Sequence, residues 1–163
     1  MEQSSQIPTA RDELLFTPGP LTTSLAVKQA MLRDAGSWHY EFNAIVKSVR
    51  ERLLALAGFT PGSGWETILL QGSGTFGVEA VLATVVPPNG KLLVLVNGAY
   101  GERIVQMAQY LKIAHTVLRT PEDAPPEFSA VESALASDSS ITHVACVHCE
   151  TTTGILNPIA EGR

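Results

Sequence analysis

Residues 92–97 read LLVLVN, an apolar run of strand length, and the segments on either side alternate between strand and helix patterns. Upstream, TILLQ (67–71) predicts a buried strand and 75–86 a helix that ends at two prolines. Downstream, 102–111 predicts a helix and 114–118 another strand. Short apolar strands separated by helices are typical of parallel βαβ units with helices on both faces of the sheet. The sequence therefore predicts an α/β fold.

The alternation continues to the last strand of the predicted sheet. Ser129 and Glu132 form a capping-box pattern for a helix over 130–137, and ITHVACVH (141–148) predicts a strand. Only fifteen residues follow that strand, and none of them predicts an element that would cover it. We therefore expect the sheet to be incomplete at the C-terminus, with an exposed edge.

The N-terminal part has a helical pattern. Residues 24–34 predict a short helix and 41–57 a longer one, followed by Gly58 where a left-handed C-cap is expected. The longer helix has apolar residues at the spacing of a half-buried face. These residues are Phe42, Ile45, Val46, Val49, Leu53 and Leu56.

Composition and charge exclude several classes of protein. The chain has 163 residues, of which 45% are hydrophobic, and a net charge of −5 with no basic run. Nucleic-acid binding needs clustered Lys and Arg, so we expect no such partner. The longest wholly apolar stretch, 92–96, is too short to span a membrane, and the N-terminus has no secretory signal pattern. With two cysteines only, the sequence predicts a cytoplasmic protein without a disulfide framework.

The segment QGSGTF (71–76) connects a predicted strand to a predicted helix. Free N–H groups and the helix dipole make such a turn an anion site, usually for phosphate, and Ser73 and Thr75 add hydroxyl donors. A glycine-rich connection with no ligand is the alternative. The glycines also match GxGxxG, but a dinucleotide site expects a carboxylate after the next strand, which ends instead at Asn97.

Two other predicted strand ends carry candidate ligand-binding residues at the same edge of the sheet. NGAYG (97–101) places Tyr100 where its ring could stack on a flat heteroaromatic group, and the ETTTG segment supplies hydroxyls from Thr151 onward. The carboxyl ends of parallel strands line one crevice, so we expect a phosphate cradle, a stacking ring and hydroxyl donors there.

The pair Cys146 and Cys149 matches C-x-x-C at the end of a strand. A redox motif is expected at a helix N-terminus, and a zinc site needs two further ligands. We interpret both cysteines as small buried side chains and predict no metal site.

Five segments together resemble one family, the 2-aminoethylphosphonate–pyruvate aminotransferases, which are class V aminotransferases of PLP (pyridoxal 5′-phosphate) fold-type I. Four of them carry the resemblance, TPGPLTTS, LLQGSGTFGVEA, NGAYG and ITHVACVHCETTTGILNP, whereas the fifth, WHYEFN (38–43), differs from the acidic W-x-x-x-F-N version common in the family. The resemblance covers about Leu14 to Ile159. It implies a three-layer sandwich around a parallel sheet, of which this chain holds the N-terminal part. It also implies a substrate-side arm over 1–23 and the start of the large PLP-binding domain over 24–163.

The resemblance implies a set of site residues. In the family, the turn matching Ser73, Gly74 and Thr75 contacts the cofactor phosphate, and the aromatic matching Tyr100 stacks on the pyridine ring. The threonine matching Thr151 lies near the ring oxygen of the cofactor. The arm residues matching Pro18, Gly19 and Pro20 approach the substrate end of the site, in a homodimer.

The implied reaction moves the amino group of 2-aminoethylphosphonate to pyruvate and gives phosphonoacetaldehyde and alanine, with small-molecule substrates only. The family uses a lysine as Schiff-base partner and general base. No lysine of this chain lies in a matching motif, so we expect its catalytic residue to be absent and the chain to be truncated. Alternatives are an alanine- or serine–glyoxylate aminotransferase and a non-catalytic remnant.

Overall fold

The computed structural model describes residues 13–17 and 19–160. The chain divides into two compact units, Met1–Leu69 and Leu70–Arg163, hereafter the first and the second unit. Pro18 of the predicted arm lies outside the described residues. No helix in the described ranges combines the length and the apolar character that crossing a membrane requires.

The first unit contains two helices, α1 (Leu25–Ala30) and α2 (Tyr40–Leu56). Helix α1 is shorter than the predicted 24–34, and its N-cap is Ser24, whose hydroxyl accepts a hydrogen bond from the Val27 N–H. The predicted end of α2 is confirmed. Gly58 has φ +83°, and the N–H groups of Gly58 and Phe59 donate to the carbonyls of Ala55 and Leu54, which is a Schellman motif.

The apolar face predicted for α2 is mostly exposed, so that part of the prediction is wrong. Ile45 is 61% exposed and Leu56 is 84% exposed, whereas the one buried residue of the helix is Leu54. Helical periodicity indicates which residues share a face, but it does not show that another element packs on it. In residues 13–17 and 19–69, the first unit has only the short α1 as a second helix, which is too small to cover this face.

The predicted strand over 67–71 is wrong. Residues 65–70 are not in a regular element, and Ile68 is 79% exposed. A strand needs a neighbouring strand for its backbone hydrogen bonds. Here the Thr67 carbonyl instead accepts a hydrogen bond from the Arg50 side chain, Nε to O 2.9 Å.

The second unit is a parallel three-stranded sheet with order β2-β1-β3. Its strands are β1 (Lys91–Val96), β2 (Ala114–Arg119) and β3 (Ile141–Cys146). Three helices belong to the same unit: α3 (Gly74–Val85) precedes β1, α4 (Ala99–Tyr110) connects β1 to β2, and α5 (Phe128–Ser137) connects β2 to β3. The predicted α/β class is confirmed.

Helices cover both faces of the central strand, as predicted. Leu92, Val94 and Val96 of β1 pack on one face with residues of α3 and α4. Leu93 and Leu95 pack on the other face with Val131 of α5. Because β2 and β3 lie on opposite sides of β1, their crossover helices lie on opposite faces. Such a reversal of strand order is where α/β proteins open a ligand crevice beyond the carboxyl ends of the strands.

The predicted capping box of α5 is wrong. The helix begins at Phe128, and the residue before it, Glu127, makes no side-chain capping hydrogen bond. The N–H groups of Ala130 and Val131 both donate to the Glu127 carbonyl, so the first turn closes on Glu127 and Ser129 lies within the helix.

A small hairpin follows the sheet and was not predicted. The predicted strand 141–148 ends at Cys146, and β4 (Cys149–Glu150) then pairs antiparallel with β5 (Ile155–Leu156). Between them Gly154 has φ +80°, which closes the turn.

An ion pair joins the start of β1 to the residue after α5 and predicts acid sensitivity. Lys91 Nζ lies 2.6 Å from Asp138 Oδ2, and the Ser140 N–H and hydroxyl both donate to Asp138 Oδ1. The hydrogen bond from Lys91, followed by those from Ser140, lowers the pKa of Asp138 from 3.8 to about 2. This stabilisation is therefore complete above the unfolded pKa and is lost as the pH falls through about 2.

We expect Asp138→Asn to reduce the free energy of unfolding at pH 6, with the difference from wild type shrinking as the pH approaches 2. Urea unfolding followed by circular dichroism between pH 2 and 6 measures this difference. The exposed Asp123→Asn variant controls for loss of one negative charge. A difference in the free energy of unfolding that does not change with pH would contradict the assignment of this stabilisation to Asp138.

Candidate functional site

The N-terminus of α3 forms an open cradle. Ser73 is the N-cap, and its hydroxyl oxygen accepts from the Phe76 N–H at 3.2 Å while its hydrogen is free to donate. The N–H groups of Gly74 and Thr75 lie in the first turn, where the helix supplies no acceptor. A Cβ placed on Gly74 would meet no side chain and no other segment within 4 Å, so the space beside this residue is open.

The turn depends on the preceding glycine. Gly72 has φ +149°, a conformation that residues with a Cβ rarely adopt. A Cβ at this position would also lie 2.8 Å from Cδ1 of Phe76. The conformation of Gly72 therefore shapes the connection into α3, although no strand precedes it in residues 13–17 and 19–71.

Arg103 of α4 connects the cradle to the predicted stacking residue. Its Nη1 donates to Thr75 Oγ1 at 3.2 Å, and its Cζ lies 5.0 Å from the centre of the Tyr100 ring. Tyr100 itself is 40% exposed. Arg103 thus places a positive charge between the open helix end and an accessible aromatic ring, an arrangement that suits an anion attached to a flat ring.

A fully buried carboxylate, Glu150, holds the N-terminus of α4. Its Oε2 accepts from the N–H groups of Tyr100 and Gly101 at 3.1 and 3.2 Å. Its Oε1 accepts from the Thr152 hydroxyl at 2.8 Å. No cation contacts Glu150 in the described part of the chain, so these donors and the helix dipole compensate its charge.

Gly98 makes room for this carboxylate. A Cβ built on Gly98 would overlap Cγ and Cδ of Glu150 and lie 2.8 Å from Oε2. The end of β1 and the start of α4 therefore approach β4 closely only because residue 98 has no side chain.

The three threonines after Glu150 have different positions. Thr152 Oγ1 accepts from the Ala99 N–H at 3.4 Å, and the N–H groups of Thr153 and Gly154 donate to the Glu150 carbonyl. Thr151, the threonine matched to the cofactor ring oxygen, is exposed and is the first residue of this turn, directly after β4. Among the described residues it makes no hydrogen bond, so its predicted role stays a prediction.

Two buried asparagines join the end of β1 to the segment after β5. Asn97 Nδ2 donates to Asn157 Oδ1 at 2.8 Å, and Asn157 Nδ2 donates to Asn97 Oδ1 at 3.1 Å. The two amides also donate to the carbonyls of Ala124 and Val147. A satisfied, buried pair of this kind holds the end of β1 and the segment after β5 together.

The structure thus brings together the segments of Ser73, Gly74, Thr75, Tyr100 and Thr151, all in the second unit. Gly19 and Pro20 of the predicted arm are exposed in the first unit, where the Thr17 hydroxyl donates to the Pro20 carbonyl. Whether these residues bind cofactor or substrate stays a prediction.

The interpretation of the cysteines is correct for one of them. Cys146 is half-buried against Leu93, Leu95 and Val131, and burial raises the pKa of its thiol. Cys149 is exposed, because β3 ends at Cys146 and Cys149 lies in the small hairpin that follows. In residues 13–17 and 19–160, no three His, Cys, Asp or Glu side chains are grouped to hold a metal ion.

Neither lysine of the second unit lies at the site. Lys91 begins β1, whose other end carries Asn97 and Gly98, and it is paired with Asp138. Lys112 follows the C-terminus of α4, whose 12 residues from Ala99 to Tyr110 span about 18 Å.

Sequence reasoning missed Glu150, Arg103 and Gly98. Glu150 stands inside the quoted ETTTG segment, and a carboxylate directly after a strand is a candidate partner for a neighbouring helix N-terminus. Arg103 lies three residues after Tyr100 in a helix, a spacing that allows the two side chains to meet. The dinucleotide alternative expected a carboxylate near Asn97; Glu150 is there, but its oxygens are already bound by protein donors.

Comparison with curated proteins confirms the resemblance. The chain is 54% identical over 148 residues to the 2-aminoethylphosphonate–pyruvate transaminase of Bacillus cereus (strain G9842), covering 91% of this chain. It is 53% identical over 153 residues to that of Bacillus anthracis. The chain spans about 40% of the length of these relatives. No family model matches it.

Comparison with solved structures confirms the fold as that of PLP-dependent aminotransferases. Pyridoxamine–pyruvate aminotransferase from Mesorhizobium loti superposes with a TM-score of 0.81 at 22% identity, over 94% of this chain and 38% of that one. Alanine–glyoxylate aminotransferase from Nostoc sp. gives 0.78 at 29% identity, over 91% and 39%.

Proposed function

We propose that this chain supplies the cofactor-phosphate and ring-stacking part of a PLP-dependent aminotransferase. The proposed reaction transfers the amino group of 2-aminoethylphosphonate to pyruvate and forms phosphonoacetaldehyde and alanine. One observation supports it most strongly: Arg103 contacts both Thr75, at the open end of α3, and the exposed ring of Tyr100. PLP has this combination of a charged phosphate and a flat pyridine ring.

Each residue has a defined task in the proposed site. The N–H groups of Gly74 and Thr75 and the hydroxyls of Ser73 and Thr75 bind the phosphate, whose negative charge Arg103 balances. The ring of Tyr100 stacks on the pyridine, and Thr151 is proposed to donate to the ring oxygen. When bound, the cofactor supplies an electron sink for the carbanion formed at the amino-bearing carbon.

The substrate assignment rests on the curated relatives, whose names specify 2-aminoethylphosphonate and pyruvate at 53–54% identity. The structural neighbour from Nostoc sp. has alanine and glyoxylate in its name but is only 29% identical. Transfer between alanine or serine and glyoxylate is therefore the second candidate.

We further propose a cytoplasmic homodimer, with Gly19 and Pro20 of the arm on the substrate side. The exposed apolar face of α2 supports association, because a soluble chain rarely leaves such a face open to water. The two free cysteines are consistent with a reducing compartment.

Thr75→Val is expected to weaken PLP binding by about 5- to 30-fold, because it removes a hydrogen bond to a charged phosphate worth about 1–2 kcal/mol. Equilibrium dialysis of the purified chain against PLP measures the Kd. Thr84→Val is the matched control, since Thr84 lies in the same helix and its hydroxyl donates only to the Ala80 carbonyl.

An equal Kd for Thr75→Val and Thr84→Val would contradict the phosphate cradle. A wild-type chain that binds PLP no better than it binds pyridoxal without phosphate would contradict it as well, because the cradle acts on the phosphate alone.

A further inference from the structure

We propose that Glu150 is a positioning residue that holds Tyr100 and the 151–154 turn in place for a cofactor ring. This inference rests on the proposed function. It starts from the burial of Glu150, which has no exposed surface although it carries a carboxylate. Neither the motifs nor the predicted roles assign Glu150 any task.

The carboxylate of Glu150 determines where Tyr100 begins its helix. Oε2 accepts from the backbone N–H groups of Tyr100 and Gly101, the second and third residues of α4. The N-cap position before them is Gly98, which has no side chain to cap the helix. Glu150, which is 50 positions after Tyr100, therefore accepts the hydrogen bonds that an N-cap side chain would otherwise accept.

The same residue organises the turn that presents Thr151. The Glu150 carbonyl accepts from the N–H groups of Thr153 and Gly154 and from the Thr153 hydroxyl at 3.3 Å. Its Oε1 accepts from Thr152, whose oxygen also accepts from the Ala99 N–H. One residue thus fixes the ring-bearing helix end and the threonine turn relative to each other.

Glu150 does not contact the phosphate cradle. Its hydrogen-bond partners lie in α4 and in the 151–154 turn, whereas Thr75 is bound by Arg103. Loss of Glu150 should therefore affect a ligand with a ring more than a free phosphate ion, because only the ring needs Tyr100 and the turn in place.

The test measures the Kd of PLP and of inorganic phosphate for the full chain and its Glu150 variants. Glu150→Ala removes the acceptors, and we expect the Kd of PLP to rise about five-fold while that of phosphate stays within two-fold. Glu150→Gln keeps one oxygen for the two N–H groups and an amide for the Thr152 oxygen, so it should restore the Kd of PLP to within two-fold of wild type. Glu132→Gln, on the exposed surface of α5, controls for the change of charge.

A second readout needs no cofactor. In Glu150→Ala, the amide protons of Tyr100 and Gly101 should move upfield in the NMR spectrum and exchange with solvent faster, while those of Glu150→Gln stay near wild type. If Glu150→Ala does not fold, Thr152→Val removes one donor to the carboxylate and should give a smaller change in the same two amides.

The outcomes separate the inference from the proposed function. A wild-type chain that binds PLP no more tightly than inorganic phosphate would overturn the proposed function. If the wild type binds PLP more tightly than phosphate, an equal rise in the Kd of both ligands in Glu150→Ala overturns the positioning role. A Glu150→Gln variant that does not restore the Kd of PLP overturns it as well.

Discussion

Replacing Gly98 by alanine is expected to lower the free energy of unfolding by about 3 kcal/mol, the upper end of the usual cost of overpacking. The added Cβ would overlap Cγ and Cδ of Glu150, a side chain without exposed surface and with three hydrogen bonds. Glu150 cannot move aside without leaving the N–H groups of Tyr100 and Gly101 unpaired. Backbone strain is not the cause, because φ of Gly98 is 172°, which any residue adopts.

Urea unfolding of Gly98→Ala and wild type measures this cost. Gly77→Ala is the matched control, because a Cβ at this helical glycine would find no atom within 4 Å, and alanine favours the helix. In a Glu150→Ala background the cost of Gly98→Ala should fall below about 1 kcal/mol, since the overlapping atoms are gone. The same cost in both backgrounds would show that Glu150 is not what residue 98 must avoid.

The core of the fold could be predicted because its signals are local. The run from Lys91 to Val96 is apolar at almost every position, as expected for a strand covered on both faces. The neighbouring helices are recognised by the helical spacing of their own apolar residues. Parallel strands then require crossover helices. The same rule predicted that the segments carrying Tyr100 and Thr151, which follow strands, would lie close together. The segment of Ser73 joins them through the contact of Arg103 with Thr75, although no strand precedes it in the part of the chain that the structure describes.

The contacts that organise the site could not be predicted, because they join residues far apart in sequence. The Glu150 carboxylate reaches Tyr100 across 50 positions, and Arg103 reaches Thr75 across 28. Periodicity places a residue on a face of its own element but does not name its partner. A glutamate in a threonine-rich segment therefore received no role from the sequence, although it is fully buried.

Two wrong predictions have the same cause. The segment 67–71 and the apolar face of α2 were predicted to be buried from their composition, and Ile68 and Ile45 are both exposed. Burial depends on what packs against a segment, and the first unit contains no sheet and only one further helix in its described residues. An apolar segment is expected to pack against another element, but its own sequence does not show whether that element is present.

The purified 163-residue chain is expected to produce no more alanine from 2-aminoethylphosphonate and pyruvate than free PLP does. The reaction needs a base at the cofactor, and the family resemblance assigns that task to a lysine. In the second unit, Lys91 is ion-paired at the far end of β1 and Lys112 lies beyond the far end of α4. A positioned base contributes about 10²- to 10⁴-fold to the rate, so cofactor binding alone should leave turnover at the background level.

The matched comparison is a chimera in which this chain replaces the corresponding segment of the Bacillus cereus relative, which the chain spans to 40%. The chimera should form alanine at least about 100-fold faster than the isolated chain, because the relative then supplies the base. Thr75→Val should slow the chimera at low PLP concentration, and Thr84→Val should not. Amino transfer from serine or alanine to glyoxylate, without transfer from 2-aminoethylphosphonate, would replace the proposed substrates with those of the second candidate. Alanine formed by the isolated chain above the free-PLP rate would instead show that one of its own side chains is the base, and Lys28 and Lys47 would be the first residues to replace.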